Sequence, residues 1–377
     1  MVFLLVPGFT TDPVSTADPS QALDTDHPGA AHDQSSLSGD LPDEHAAGPA
    51  AAAAAFRFSQ DLEKQPWQAQ LARLFNVDTR GGQRLPDARL GMLHTKNNSG
   101  SFESSFDDGL VRADPIFLKA DRDSATLIPP EQIGLSAEED SMLVAALNDF
   151  FAEDGLKFFS RRSTTHTSAW FMSGRSARDL DSYPPSFLAN RNASSFLPAG
   201  DSAAPWRSLM SEIQMLLHSH PVNQQREQHG LMPVNSVWFW GGADLPQADS
   251  DRGEVVLYAD DELARSFAQH LRIKCLPLKD VNFLVDDLPS ADKIIVLDLS
   301  IFQAWLNADA QQLASEHQRI HEAWLEPLSR QIRTGHLESV HLLTEDGLQG
   351  LCNMSTQPAS TSNWQAVVKR IRALFQR

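Results

Sequence analysis

The sequence predicts an α/β fold, a three-layer αβα arrangement around a mainly parallel sheet, with a small inserted α+β domain. Three observations carry that expectation. Through the C-terminal half, short apolar runs alternate with amphipathic helical patterns, and such alternation needs crossover connections and hence parallel strands. The N-terminal run MVFLLVPGF is apolar and of strand length, as a buried first strand would be. Between about 109 and 175, two strand pairs flank a single capped helix, which is an α+β pattern. The expected organisation is a first core strand over 1–9, a low-complexity insertion over 10–56 and a core helix with loops over 57–108. The inserted domain and its linker follow over 109–204, and the remainder of the core over 205–377.

Each element has its own warrant. From Thr10 to Phe56 there are eight acids, no Lys or Arg, and a run of six Ala from Ala50 to Ala55. A segment so polar and of one charge sign buries too little surface to offset the entropy of ordering, so it reads as a solvated insertion. Order resumes near Phe58, where Leu62, Trp67, Leu71 and Leu74 leave a helical stripe broken near Pro66. The stretch DDGLVRADPIFLKADRDSATLI reads as two strands around a turn at Asp121-Arg122-Asp123. SAEEDSMLVAALNDFFAEDG is a helix, capped by Ser136, with Glu138 and Glu139 in its first turn and Gly155 closing it. LKFFSRR and SAWFMSG form a hairpin, and 176–204 is rich in loops. An amphipathic helix then leads to the strands SVWFWGG and GEVVLYAD, the helix DELARSFAQHLRI and the strand KIIVLDLS. A long helix through Ala314–Ile332, the strand ESVHLLTED and the helix NWQAVVKRIRALF complete the parallel sheet.

Composition narrows the function. The net charge of −18 over 377 residues sets the surface against the phosphates of nucleic acid and against a basic membrane-surface role. Mean hydropathy is −0.31, and no apolar run reaches the roughly 18 residues of a membrane helix. Two Cys, Cys275 and Cys352, lie far apart without a CxxC spacing, which fits a reducing compartment. The expectation is a cytoplasmic protein without a nucleic-acid or membrane partner.

Residues 206–246 point to a site. There a helix runs into a polar elbow holding Asn223, Arg226 and Asn235, and an apolar strand stops on Gly241-Gly242. A guanidinium between two amides can clamp a phosphate or carboxylate, and the same groups can equally satisfy the backbone of a long loop. Strand ends at Asp260-Asp261, Asp298 and Thr344-Glu345-Asp346 gather carboxylates on one rim, where Asp298 and Asp346 are candidate hard-cation ligands. Asp261 with Glu262 also reads as a helix cap. His218 and His220 form an HxH pair, with Pro221 ending the helix, and are weaker metal candidates.

The segment HPVNQQREQHGLMPVNSVWFWGGADLP resembles the stretch HP-x-N-x-x-R-x-x-x-G-x-x-P-A-N, then a strand and Gly-x-Gly, of archaeal-type cofactor-independent phosphoglycerate mutases in the alkaline-phosphatase superfamily. LVRADPIFLKADRDSATLIPPEQIGLSAEEDSMLVAALN is similar to their inserted domain, and LEPLSRQI with HLLTEDGLQG to their final helix and strand. The texture is nearest to a bacterial, RpfE-type regulatory offshoot. The likeness covers about 109–350. It implies an alkaline-phosphatase-like core, and in active members two metal ions (Mn or Zn) and a phosphorylated Ser or Thr.

The departures from that pattern matter as much. Where the family's first strand ends in an Asp ligand, this chain has Val6-Pro7-Gly8, with Thr10, Thr11 and Asp12 further on. The Asp-x-x-x-His after KIIVLDLS is absent, Gly347 replaces the His beside Asp346, and Asp114 stands for the Asn that follows the family's Arg, here Arg112. The resemblance thus implies a pseudoenzyme without metal cofactor. It would bind a small anionic metabolite or a protein partner in regulation, with Arg112, Asn223, Arg226 and Asn235 forming the ligand pocket. The alternatives are an active metal-dependent phosphomutase or phosphatase with rearranged ligands (Asp298, Asp346, His218, His220) and a structural interaction protein working through 10–56.

Overall fold

The computed structural model describes residues 1–7, 57–59, 65–96, 109–120, 124–162, 168–198, 203–249, 252–281, 289–337, 339–343 and 349–353. The insertion at 10–56, the turn at 121–123, Thr10, Thr11, Asp12, Asp346, Gly347 and the expected last helix lie outside the described residues. The protein is a mixed α/β structure with a mainly parallel sheet and a second, antiparallel one.

In the first sheet, strands run in the order β2 (Arg57–Ser59), β12 (Gln349–Asn353), β11 (Ser339–Leu343), β1 (Val2–Leu5), β10 (Lys293–Leu297), β8 (Val255–Tyr258) and β9 (Lys274–Leu276). The N-terminal strand β1 is central. It pairs in parallel on both sides, with Leu5 opposite Leu297 and Leu343. β12 and β2 extend that edge antiparallel. A strand flanked by two parallel neighbours has both faces covered, which is why the chain begins with an unbroken apolar run.

The two faces of the sheet make separate cores. On one, Leu5, Leu257, Ile295 and Leu297 pack with Trp67 and Leu71 of α1 (Trp67–Leu74), Phe267 of α7 (Glu262–His270) and Phe302 of α8 (Ser300–Leu306). On the other, Val2, Leu4, Val256 and Val296 meet Ile320, Trp324, Leu328 and Ile332. Those residues come from α9 (Ala310–Ile320), a π-helical turn at His321–Leu325 and α10 (Glu326–Arg333). The helix expected over Ala314–Ile332 is therefore one run interrupted by a π turn, as happens where an extra residue is accommodated in a helix.

The second sheet orders β4 (Ala125–Ile128), β3 (Leu110–Ala120), β6 (Ser168–Ser173) and β5 (Lys157–Arg162), and β7 (Ser236–Trp240) also pairs with β3. The short helix α3 (Pro130–Ile133) follows β4. α4 (Ala137–Phe150) opens with the capping box expected from Ser136, whose hydroxyl accepts from the Glu139 N–H while Glu139 returns a bond to the Ser136 N–H. Leu143 and Leu147 of α4, with Trp206, Ile213 and Leu217 of α5 (Ala204–His218), cover Val111, Trp170 and Val237.

Two expectations are corrected here. SVWFWGG, read as a strand of the parallel sheet, is antiparallel to β3, with Arg112 opposite Trp240 and Ile116 opposite Ser236. All five residues of β7 are buried, and a run buried on both faces has no alternation by which sequence could choose its sheet. The polar elbow is a second helix, α6 (Pro221–Gln228), in which Pro221 is the first helical residue. Finally, α2 (Asp87–Lys96) packs against both β3 and α7, so it lies on the seam between the two sheets.

Candidate functional site

The residues expected to clamp an anion are engaged with the fold. Arg226 is 2% exposed. It donates from Nε to the Met232 carbonyl at 2.8 Å, from Nη1 to Glu139 at 2.7 Å and from Nη2 to the Ile133 carbonyl at 2.7 Å. Asn223 donates to the carbonyls of Leu217 and Val234 and accepts from the Val234 N–H. Asn235 exchanges both amide bonds with the backbone of Leu118. These three side chains tie α6 and its following loop to β3, α3 and the capped end of α4. The loop-satisfying role is the one this geometry supports.

Arg112 stands elsewhere, on β3. Its guanidinium lies 5.0 Å from the Phe171 ring centre and 5.1 Å from that of Trp240, a cation between two aromatic faces. Its Nη2 reaches both oxygens of Asp114, at 2.7 and 2.8 Å. Asp114 also accepts from the Trp170 N–H and the Trp240 indole. The Asp at the place of the family's Asn is thus the buried counter-ion of Arg112.

Of the metal candidates, Asp298 and His220 are committed to the fold. Asp298 sits at the carboxyl end of β10 and is 2% exposed. Its Oδ2 accepts from Arg319 Nη2 at 2.7 Å and from the Trp324 indole at 2.8 Å, and its Oδ1 from the Ser300 N–H at 3.1 Å. Burial by itself would raise its pKa. The hydrogen bonds from Arg319, Ser300 and Trp324 together outweigh that and hold the carboxyl below the usual range. His220 caps α6, its Nδ1 accepting from the Val222 N–H, while His218 ends α5 exposed. Among the described residues no group of three or more His, Cys, Asp or Glu is arranged to hold a metal ion. Beyond β1 the chain continues as buried Val6 and Pro7. Of the expected strand-end carboxylates, Asp298 already holds a guanidinium, and Asp346 lies outside the described residues.

Sequence reasoning missed a group at the seam. Asp87, in the first turn of α2, is 1% exposed and its Oδ1 has no hydrogen-bond partner. Burial, with Asp261 and Asp114 adding to it and Arg112 opposing, pushes its pKa up to about 8. Asp261 caps α7 through the Ala264 N–H at 2.8 Å, and burial raises its pKa too. Burial takes Glu131 of α3, which also feels Arg112 and Asp114, to about 7, and its Oε2 is enclosed without a partner. The sequence signal at Asp87 was an acid after Pro86, which reads as an ordinary helix start. Nothing local announces that this helix end is buried between sheets.

Residues 107–223 match the family model described as 2,3-bisphosphoglycerate-independent phosphoglycerate mutase. Over that stretch the chain is similar to phosphoglycerate mutases. A probable 2,3-bisphosphoglycerate-independent phosphoglycerate mutase of Geobacter sulfurreducens is 27% identical over 116 residues, 31% of this chain and 28% of that protein. The corresponding protein of Methanothrix thermoacetophila is 38% identical over 69 residues, 18% of each. The matched stretches thus span less than a third of these curated relatives. A solved cofactor-independent phosphoglycerate mutase from Thermoplasma acidophilum overlays 81% of this phosphoglycerate-mutase-like chain and 84% of its own, at 13% identity and a TM-score of 0.34. The family match falls on the antiparallel sheet and its helices, from β3 to the start of α6. No helix among the described residues is long and apolar enough to cross a membrane.

Proposed function

We propose that this phosphoglycerate-mutase-like chain has lost metal-dependent phosphotransfer and acts by binding, as a regulatory pseudoenzyme. The observation that carries the reading is the Arg319–Asp298 contact. A carboxylate that accepts from a guanidinium and a buried indole on one oxygen has its negative charge already compensated, and a divalent ion there would have to displace a cation. With an apolar end to β1 as well, the described ends of β1 and β10 offer no uncompensated carboxylate to a metal that would activate a hydroxyl nucleophile.

A protein partner suits the molecule better than a small anion. The donors of Asn223, Arg226 and Asn235 are spent on backbone and Glu139, so a metabolite would find none of them free. Large apolar side chains face solvent on α4 and α5, with Phe150 51% and Met215 68% exposed. Exposed apolar side chains of this size, one on each helix, are ones that a partner would cover. The alternative is an active metal-dependent phosphomutase or phosphatase, favoured by the names of the relatives. The deciding experiment is an assay of the full chain with added Mn²⁺ or Zn²⁺, supplemented by a thermal-shift screen with phosphoglycerates. The pseudoenzyme reading expects neither turnover nor a metal-dependent shift. Metal-dependent turnover proportional to protein concentration would establish the alternative.

A further inference from the structure

A single enclosed carboxyl on the seam has charged groups of both sheets around it. Asp87 heads α2, the helix that packs on β3 of the antiparallel sheet and on α7 of the parallel one. A Cβ added to Gly241, the residue after β7, would lie 3.1 Å from Asp87 Cβ and 3.3 Å from Arg112 Cγ, so Asp87 and Arg112 flank the same backbone point. The Gly241 carbonyl accepts from the N–H of Ala88 at 3.0 Å, which pins the start of α2 to the end of β7.

The charges facing Asp87 can be named by element. From β3 come Arg112 and Asp114, and from the head of α7 comes Asp261. Beside them, Glu262 of α7 pairs with Arg161 of β5, whose Nη1 also donates to the Gly91 carbonyl of α2. Arg89 of α2 and Arg178 both reach Asp244, after β7. Glu131 lies beyond, near Arg112 and Asp114. Each nearby cation thus already faces a carboxylate other than Asp87, with Arg89 and Arg178 sharing Asp244, and Arg112 is held by Asp114 through Nε and Nη2. Ionising Asp87 would place a charge near two further acids, Asp114 and Asp261, with Arg112 already paired and no donor at Oδ1.

We propose that Asp87 is a proton latch on the seam between the sheets: protonated, it lets α2 close against β3 and α7, and ionised, it favours the parted state. The latch tightens as the medium becomes more acid. The sign follows from linkage, since a carboxyl with a raised value in the closed state binds its proton there and releases it on opening. Opening therefore grows with pH between the ordinary carboxylate range and about 8, and levels off above it. This inference is independent of whether phosphotransfer is retained.

Hydrogen exchange of the full chain over a pH series, corrected for intrinsic amide chemistry, tests it. The opening equilibrium of the α2 amides should rise by up to about tenfold per pH unit towards the plateau, because one proton is linked to opening. Asp87→Asn should remove that dependence. Asp261→Asn keeps the α7 cap but removes a repelling charge, so the plateau should begin at lower pH. A pH-independent wild type, an Asp87→Asn variant with the wild-type slope, or an Asp261→Asn variant with an unmoved plateau would each overturn the latch. The Asp261→Asn result decides the matter by itself if Asp87→Asn fails to fold.

Discussion

Arg319 Nη2 donates to Asp298 Oδ2 at 2.7 Å, on the same oxygen that takes the Trp324 indole at 2.8 Å. That contact ties the carboxyl end of β10 to α9 and the π turn that follows it. The carboxyl end of a parallel strand is where α/β folds commonly hold a ligand, and here its partner is a side-chain cation.

Truncating that carboxylate is the first prediction. Asp298→Ala removes the carboxylate that accepts from the buried Trp324 indole and leaves Arg319 with Glu316 and the Ser300 hydroxyl. Arg319 is 40% exposed, so part of its loss is regained from water. Unfolding by denaturant should show a loss of about 2–3 kcal/mol. The folded carboxyl has a lowered pKa, so its contribution is present above the ordinary carboxylate range and disappears as pH falls through the lower, folded value. The gap between wild type and variant should therefore close below about pH 4.

Arg226→Ala should destabilise the second sheet by about 3–5 kcal/mol, since it takes the cation from Glu139, which keeps only the Ser136 N–H, and a donor from two carbonyls around a buried site. Arg226→Lys should recover little, because an ammonium cannot span three acceptors in the guanidinium's plane. Thermal denaturation of both variants measures this, and near-wild-type melting of Arg226→Ala would mean that its bonds hold nothing together.

Glu131→Gln should gain on wild type as pH rises. The folded carboxyl is raised to about 7 by burial, so stability is fully present below the unfolded value and is lost as pH rises towards about 7. Glu131 is only partly buried, and the expected advantage of the variant at pH 8 is about 1–2 kcal/mol, against almost none at pH 4. Denaturation at both pH values checks the sign.

Gly242→Ala should cost about 1–3 kcal/mol. Its new methyl would stand 2.5 Å from Ala177 Cβ and 3.2 Å from the Ala177 carbonyl, so backbone must move where β7 leaves the antiparallel sheet. Pairing it with Ala177→Gly should return part of the loss, as measured by the same melts.

Much of the fold was legible in the residues themselves. Val2–Leu5 reads as a doubly covered strand because every position is apolar, and it lies at the centre of the parallel sheet. Ser136 and Glu139 announce the head of α4 through a local, reciprocal pair of bonds. The two hairpin strands at Lys157–Arg162 and Ser168–Ser173 follow from two short aromatic-bearing runs close together in sequence. What failed was non-local. The partner of β7 is decided by β3, more than a hundred residues earlier, and a five-residue buried run carries no sign of it. Arg226 and the two Asn have the chemistry of an anion clamp, and only the carbonyls of Ile133, Met232, Val234 and Leu118 show where their bonds go. Asp87 escaped notice because a helix-start acid is ordinary until a second sheet closes over it.

The most direct measurement is the rate at which the full chain interconverts the two monophosphoglycerates in the presence of Mn²⁺, run beside Asp298→Asn. With Arg319 compensating Asp298, the account predicts no turnover above background in either protein, with or without metal. Metal-dependent turnover that a chelator abolishes and Asp298→Asn removes would contradict it, and would make Asp298 a ligand in a working centre.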